Sequence, residues 1–221
     1  MKPSAPGALW IKVCGLRSAE AIDAAARAGA DAVGFVFHEP SPRHLAPAAA
    51  RALAASVPPG LDKVAVFLHP SQQLVDEAIA AVRPDWVQVD MTDLPRLRIG
   101  PAARWLPVLR TGAAADGGNI DLRHFERVLL ESGRSGEGER ADWSEAARIA
   151  ATAPVVLAGG LDASNVAEAI AAVRPAGVDV SSGVERARGV KDKAMIEDFV
   201  KAVRAAETRL AQAPSLGVPN R

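Results

Sequence analysis

Apolar runs recur along this chain at nearly even intervals, each bounded by turn residues and most of them followed by a helical pattern. The runs are centred near Ile11, Gly34, Ala65, Gln88, Pro107, Leu129, Val156 and Asp179. Ala32-Val33-Gly34-Phe35-Val36-Phe37 is typical. It is continuously apolar, as in a parallel strand buried on both faces. The other runs are residues 9–15, 63–68, 86–90, 104–110 (interrupted by Pro107), 127–131, 154–158 and 177–180. Between them, Ile22, Ala25 and Ala26 recur at helical spacing, as do Leu74, Val75, Ala78, Ile79 and Val82. Ser18 and Gly29 bracket the first helix, 46–56 forms a second, and Ser71 to Arg83 a third. Ser164 is expected to cap a helix through Val173, and the last helix runs from Lys193 to Leu210.

Strands alternating with helices pair in parallel. Eight such units predict an α/β protein that is a single closed (β/α)8 TIM barrel, with an open doubly wound sheet as the alternative. The connections 91–103 and 112–124 contain Pro95, Pro101 and Gly117-Gly118, so helices four and five are expected to be short or irregular. The expected boundaries are an N-terminal extension over 1–8, the barrel over 9–210 and a flexible tail over 211–221.

Composition narrows the function. The 221 residues carry 26 basic and 26 acidic side chains with no long run of one sign, which argues against an electrostatic nucleic-acid binder. One cysteine rules out an internal disulfide and any cysteine-cluster metal site. The four histidines show no metal-ligand spacing, so neither metal nor cofactor is expected. Residues 1–8 lack the apolar core of a signal peptide, and no run approaches the ~18 apolar residues of a membrane span. A soluble, cytoplasmic protein is expected, with a small anionic ligand, no membrane partner, and a monomeric or homodimeric state.

Barrels place their chemistry at the C-terminal ends of the strands. Those ends carry Cys14, the loop with Arg43, Asp90, Arg110, Glu131, Gly159-Gly160, and Asp179 with Ser181-Ser182-Gly183. The last two turns, after strands seven and eight, suit a phosphate, because glycine lets backbone N–H groups approach a ligand. A lone cysteine is more often a small buried hydrophobe than a catalyst, but its strand-end position tips the balance toward chemistry. Glu131 ends a buried Val-Leu-Leu run, where an ionised carboxylate is expensive without a partner or a task. Arg43 and Asp179 have solvated or turn-capping alternatives. Gly136 and Gly138 belong to a loop that could line the ligand. The ring suggests phosphosugar chemistry by a thiolate base and a carboxylic acid, with the thiol pKa lowered for its task. Lys12 is not counted as a partner of Cys14, on the ground that a strand neighbour points to the opposite face.

Several segments together resemble the phosphoribosylanthranilate isomerase family. They are Ile11-Lys12-Val13-Cys14-Gly15-Leu16, residues 29–37, Ser41-Pro42-Arg43, Leu157-Ala158-Gly159-Gly160-Leu161, Asn165-Val166, residues 178–185 and Gly189-Val190-Lys191-Asp192. The resemblance implies a cofactor-free Amadori rearrangement of N-(5-phosphoribosyl)anthranilate. It assigns Cys14 as general base, Arg43 to the anthranilate carboxylate and Asp179 to the amine or ribose region. It assigns the phosphate to Gly159, Gly160, Ser181, Ser182 and Gly183. The chain departs from the family pattern in three places. Glu131 stands where the family has its general acid, an aspartate; the extra methylene displaces the carboxyl by roughly 1 Å, a shift that can cost about 100-fold in rate. Asp90-Met91 replaces a His-Gly at the end of strand four and puts an acid in the substrate pocket. Residues 136–143 keep Asp142-Trp143 but lose the paired glycines. Two rival readings follow: an enzyme of this scaffold acting on another phosphorylated aminosugar, and a non-catalytic binder of a phosphorylated ligand.

Overall fold

A computed structural model of the chain describes residues 8–110, 121–131 and 142–212. Eight parallel strands close into a barrel: β1 (Trp10–Cys14), β2 (Ala32–Val36), β3 (Asp62–Val66), β4 (Trp86–Asp90), β5 (Arg104–Arg110), β6 (Val128–Glu131), β7 (Val155–Leu157) and β8 (Gly177–Val180). The pairing of β8 with β1, Trp10 opposite Gly177 through Val13 opposite Val180, removes the open-sheet alternative.

Among the described residues six helices surround it: α1 (Ala19–Ala28), α2 (Pro47–Ala55), α3 (Gln72–Val82), α4 (Trp143–Ala150), α5 (Val166–Val173) and α6 (Lys193–Gln212). Ser18 caps α1 by accepting from Ala21 N at 3.2 Å, and Gly29 ends it in a left-handed conformation, φ 92°. After β4 and β5 the described residues form only 3-10 turns, Met91–Arg96 and Leu122–His124, in place of helices. Pro95 inside the first turn explains why no α-helix continues there.

Three expectations need correction. Ser164 does not cap α5; the Asp162 carboxylate accepts from Ser164 N and Asn165 N, and the helix begins later, at Val166. Helix α6 runs to Gln212, past the boundary expected at 210. Helix α4 is absent from the pattern reading. It is a single short amphipathic segment capped by Asp142, which accepts from Ser144 N and Glu145 N. The expected features at Gly117-Gly118, Gly136 and Gly138, and most of the two terminal extensions, lie outside the described residues.

Alternation sorts every strand into two faces. The outward face packs against the helices through Ile11, Val33, Phe35, Val87, Val89, Leu130, Leu157 and Val178. The inward face holds Trp10, Ala32, Val64, Trp86, Leu106, Leu129 and Val156 in the lower barrel. The bottom is closed by Trp10 against Trp86, ring centroids 5.9 Å apart, with the Arg127 guanidinium over both rings. The apolar filling stops two residues higher. There the inward positions become Lys12, Cys14, Gln88, Asp90, Arg110, Glu131 and Asp179, and the site begins.

Candidate active site

The strand parity that makes Trp10 inward also makes Lys12 and Cys14 inward, since i and i+2 share a face. The exclusion of Lys12 as a partner therefore fails. The side chain is fully buried, and Nζ donates to Asp179 Oδ1 at 2.9 Å across the β1–β8 seam. The Lys12 charge also favours the ionised form of the neighbouring Cys14 thiol. Room for this comes from Gly34 on β2, opposite Cys14 in register. A Cβ at Gly34 would lie 2.9 Å from Cys14 Sγ and 3.3 Å from Lys12 Cε.

Burial pushes the Cys14 thiol up; Lys12 pulls it down, Asp179 pushes it up, and the net direction is upward. The lowered pKa expected for a base is thus not found; burial outweighs the neighbouring cation. Burial opposes the charge on Lys12, but Asp179 and Cys14 outweigh it and raise its pKa.

Arg43 follows β2 in a loop that turns inward, so the guanidinium is buried instead of solvated. Nε and Nη2 grip Glu185 at 2.7 and 2.9 Å. Glu185 starts a small antiparallel hairpin after β8, formed by β9 (Glu185–Ala187) and β10 (Val190–Lys191). It also accepts from Lys191 Nζ at 2.8 Å and from Gly189 N at 3.0 Å. Despite its burial, these donors depress its pKa to about 2. Lys191 reaches back to Ser181 O at 2.9 Å, and Ser181 Oγ donates to Cys14 O at 3.2 Å. Glu185 and Lys191 have no role in the sequence reading, although both lie in segments that resemble the family; only their convergence in space reveals the network.

The turn after β7 holds Gly159 and Gly160 at φ 91° and 63°. Among the described residues their N–H groups find no acceptor. Asn165 braces this turn, donating Nδ2 to Gly160 O at 2.8 Å and accepting from Asp162 N at 3.0 Å. The turn after β8 packs directly on it: a Cβ on Gly183 would fall 1.9 Å from Leu161 O.

On the far side, Asp90 is committed to two partners. Oδ1 accepts from Thr92 N and Oγ1, capping the 3-10 turn, and Oδ2 accepts from Arg110 Nε at 2.9 Å. Burial raises the Asp90 pKa, but Thr92 and Arg110 bring it below the ordinary value. Arg110 Nη1 is 3.7 Å from Glu131 Oε2, which links three neighbouring strand ends by charge.

Cys14, Arg43, Asp90, Glu131, Asp179 and Ser181 therefore line one cleft at the C-terminal mouth, together with Arg110, Gln88 and Arg188. Gly159, Gly160, Ser182 and Gly183 do not line it; they lie on the turns that follow β7 and β8. Gln88 is also missing from the sequence reading. Its Oε1 is buried in the cleft wall and meets no hydrogen-bond partner among the described residues. Among the described residues no group of histidine, cysteine and carboxylate side chains could hold a metal ion, and no helix is long and apolar enough to cross a membrane.

Residues 11–202 match the model of the N-(5'-phosphoribosyl)anthranilate (PRA) isomerase family. The chain belongs to the phosphoribosylanthranilate isomerase family. It is 40% identical over 220 residues to the N-(5'-phosphoribosyl)anthranilate isomerase of Nitrobacter winogradskyi, covering 94% of this chain and 98% of that one. Over 203 residues it is 41% identical to the Pseudomonas putida W619 protein of that name, covering 88% and 97%. Among solved structures, a phosphoribosyl anthranilate isomerase in complex with reduced 1-(o-carboxyphenylamino)-1-deoxyribulose 5-phosphate superimposes with a TM-score of 0.76 at 31% identity, covering 89% of this chain and 99% of that one. The Thermotoga maritima isomerase gives a TM-score of 0.76 at 29% identity, with the same coverage.

Proposed function

We propose that this chain isomerises N-(5-phosphoribosyl)anthranilate to its aminoketose, with Cys14 as general base and Glu131 as general acid. One observation carries the reading: a thiol on β1 and a carboxyl on β6, three strands apart around the ring, face one cleft at the C-terminal mouth. A related isomerase binds a reduced carboxyphenylamino deoxyribulose phosphate, which combines the anionic aromatic acid and the phosphate this cleft is built to hold.

The phosphate sits on the Gly159-Gly160 and Ser181-Ser182-Gly183 turns, beside the buried Lys191 ammonium. Arg43 receives the anthranilate carboxylate, and Glu185 has already fixed its guanidinium in place. Holding a long side chain before binding removes an ordering cost that binding would otherwise meet. Glu131 donates its proton to the ring oxygen; the C1′–O bond breaks and the Schiff base forms. Cys14 then takes the C2′ proton, and the resulting enolamine tautomerises to the ketone. C1′ is reduced and C2′ oxidised within one molecule, so no external redox partner takes part. Asp179 faces the reacting carbons from β8 with its charge balanced by Lys12. Asp90 acts on the substrate through Arg110, because both of its oxygens are already committed. The enzyme works in the cytoplasm as a monomer or homodimer, on one barrel domain that runs through α6 to Gln212.

Complementation of a tryptophan auxotroph lacking this isomerase tests the proposal. Growth is expected with the native chain and is lost in Cys14→Ala and Glu131→Gln. Soluble expression without growth overturns the reading. In that case, binding of the substrate analogue without turnover points to a non-catalytic binder.

A further inference from the structure

Cys14 is buried at the base of the cleft, yet the chemistry assigned to it needs a thiolate. An isolated thiolate is disfavoured there by desolvation. Some neighbouring group must make the anion tolerable. The charged groups facing Cys14 come from several elements. Lys12 lies two residues earlier on β1, Asp179 on β8, and Lys191 on β10. The Arg43 side chain packs over Gly15, and Asp90, Arg110 and Glu131 stand across the cleft.

Lys191 is engaged elsewhere, by Glu185 at 2.8 Å and by Ser181 O at 2.9 Å. Lys12 is different. It is a fully buried cation on the same inward face as the thiol, anchored by a single carboxylate 2.9 Å away. A buried ion pair by itself is weak evidence for stability, and an apolar pair of similar volume would fill the same space at no desolvation cost. Gly34 adds an independent observation. Its missing Cβ is what lets Lys12 Cε and Cys14 Sγ lie together over β2, since an alanine there would meet both. The backbone is cleared at the one place where the ammonium stem and the sulfur share a neighbour.

We infer that Lys12 is a positioning residue for the isomerisation: tethered by Asp179 and given room by Gly34, it supplies the counter-cation that lets Cys14 exist as a thiolate. Asp179 accordingly has two tasks, holding Lys12 and facing the substrate. Lys12 itself forms no bond and transfers no proton. This inference rests on Cys14 being the base.

The test reads the thiolate without substrate. Cys14 is the only cysteine and the chain contains no tyrosine, so ultraviolet thiolate absorbance, measured against a Cys14→Ser blank, reports one group. In Lys12→Met the titration midpoint is expected to rise by about one pH unit or more, leaving about tenfold less thiolate at neutral pH. Lys12→Met also strands Asp179, so the charge-balanced double variant Lys12→Met/Asp179→Asn is measured beside it. It removes the cation and its tether together, and its midpoint is expected to stay above the native one because Lys12 acts on the thiol more strongly than Asp179 opposes it. In Gly34→Ala, with both charges kept, the midpoint also rises. A folded double variant whose midpoint equals the native value overturns the inference and leaves Lys12 as a structural tether. The thiolate-dependent limb of the kcat/KM profile moves with the midpoint in Gly34→Ala. Whether Cys14 is the base at all is answered separately, by turnover in Cys14→Ala.

Discussion

Glu185 offers the sharpest quantitative prediction, because its cost can be worked out in two ways. Its side chain is 4% exposed, and those of Arg43 and Lys191 are 6% and 2% exposed, so solvent screening removes little of their interaction. Depression of the carboxyl from 4.5 to about 2, at ~1.4 kcal/mol per unit, corresponds to roughly 3 kcal/mol of stability. Independently, removing one partner of a buried ion pair typically costs about 3–5 kcal/mol, because the remaining charge stays desolvated. Glu185→Gln keeps the shape and removes the charge, so it is expected to lose about 3 kcal/mol at neutral pH. The sign of the pH effect follows from linkage. Between the two values the unfolded chain binds a proton that the folded chain does not. The stabilisation is therefore complete above pH 4.5 and is lost as the pH falls toward 2. Urea unfolding followed by circular dichroism, for both proteins from neutral pH to acid, isolates this group as the difference between the two curves. That difference should shrink with acidification across this window. A loss below about 1 kcal/mol, or a difference that does not change with pH, would refute the reasoning.

Two further substitutions probe the rim and the far wall. Gly183→Ala forces a Cβ to within 1.9 Å of Leu161 O, and prying the two phosphate turns apart should cost about 1–3 kcal/mol in a thermal melt and raise KM more than it lowers kcat. Asp90→Asn keeps the acceptor for Thr92 but weakens the hold on Arg110, which is then expected to pair more closely with Glu131 and lower kcat by about tenfold, with little change in melting temperature; steady-state kinetics beside a melt separate the two effects.

The barrel was legible because strands buried on both faces carry continuous apolar runs, and because even spacing leaves little room for any other arrangement of eight units. Strand ends then pointed to Cys14, Asp90, Glu131 and Asp179, all of which line the cleft. What escaped depended on pairing between distant segments. Lys12 was misjudged by one step of parity, although i and i+2 always share a face. The link from Asp90 to Arg110 needs the β4–β5 register, in which Asp90 lies opposite Val108 and Arg110 is the next inward residue above it. Glu185 and Lys191 sit in strands of three and two residues, too short for alternation to mark. Ser164 looked like a cap because the local pattern does not show that Asp162, two residues earlier, supplies the same acceptor.

The same geometry accounts for where the chain departs from its family's pattern. On the β7–β8–β1–β2 side three glycines are tightly enclosed. Gly183 abuts Leu161 O, Gly15 lies under Arg43, and Gly34 clears both Lys12 and Cys14. A side chain added at any of them would meet a neighbour closer than ordinary contact, so this side admits few alternatives. The β4–β5–β6 side is built differently. Asp90, Arg110 and Glu131 meet through side-chain ends that are 12%, 20% and 15% exposed, and the Arg110–Glu131 separation of 3.7 Å is loose enough to take up a change in chain length. An acid at position 90 is tolerable because the same guanidinium neutralises it. Position 90, Arg110 and position 131 thus form one adjustable unit, whereas Cys14, the proposed base, is held in a rigid one. Tuning of this barrel toward a different aminosugar would proceed through the acid side of the mouth.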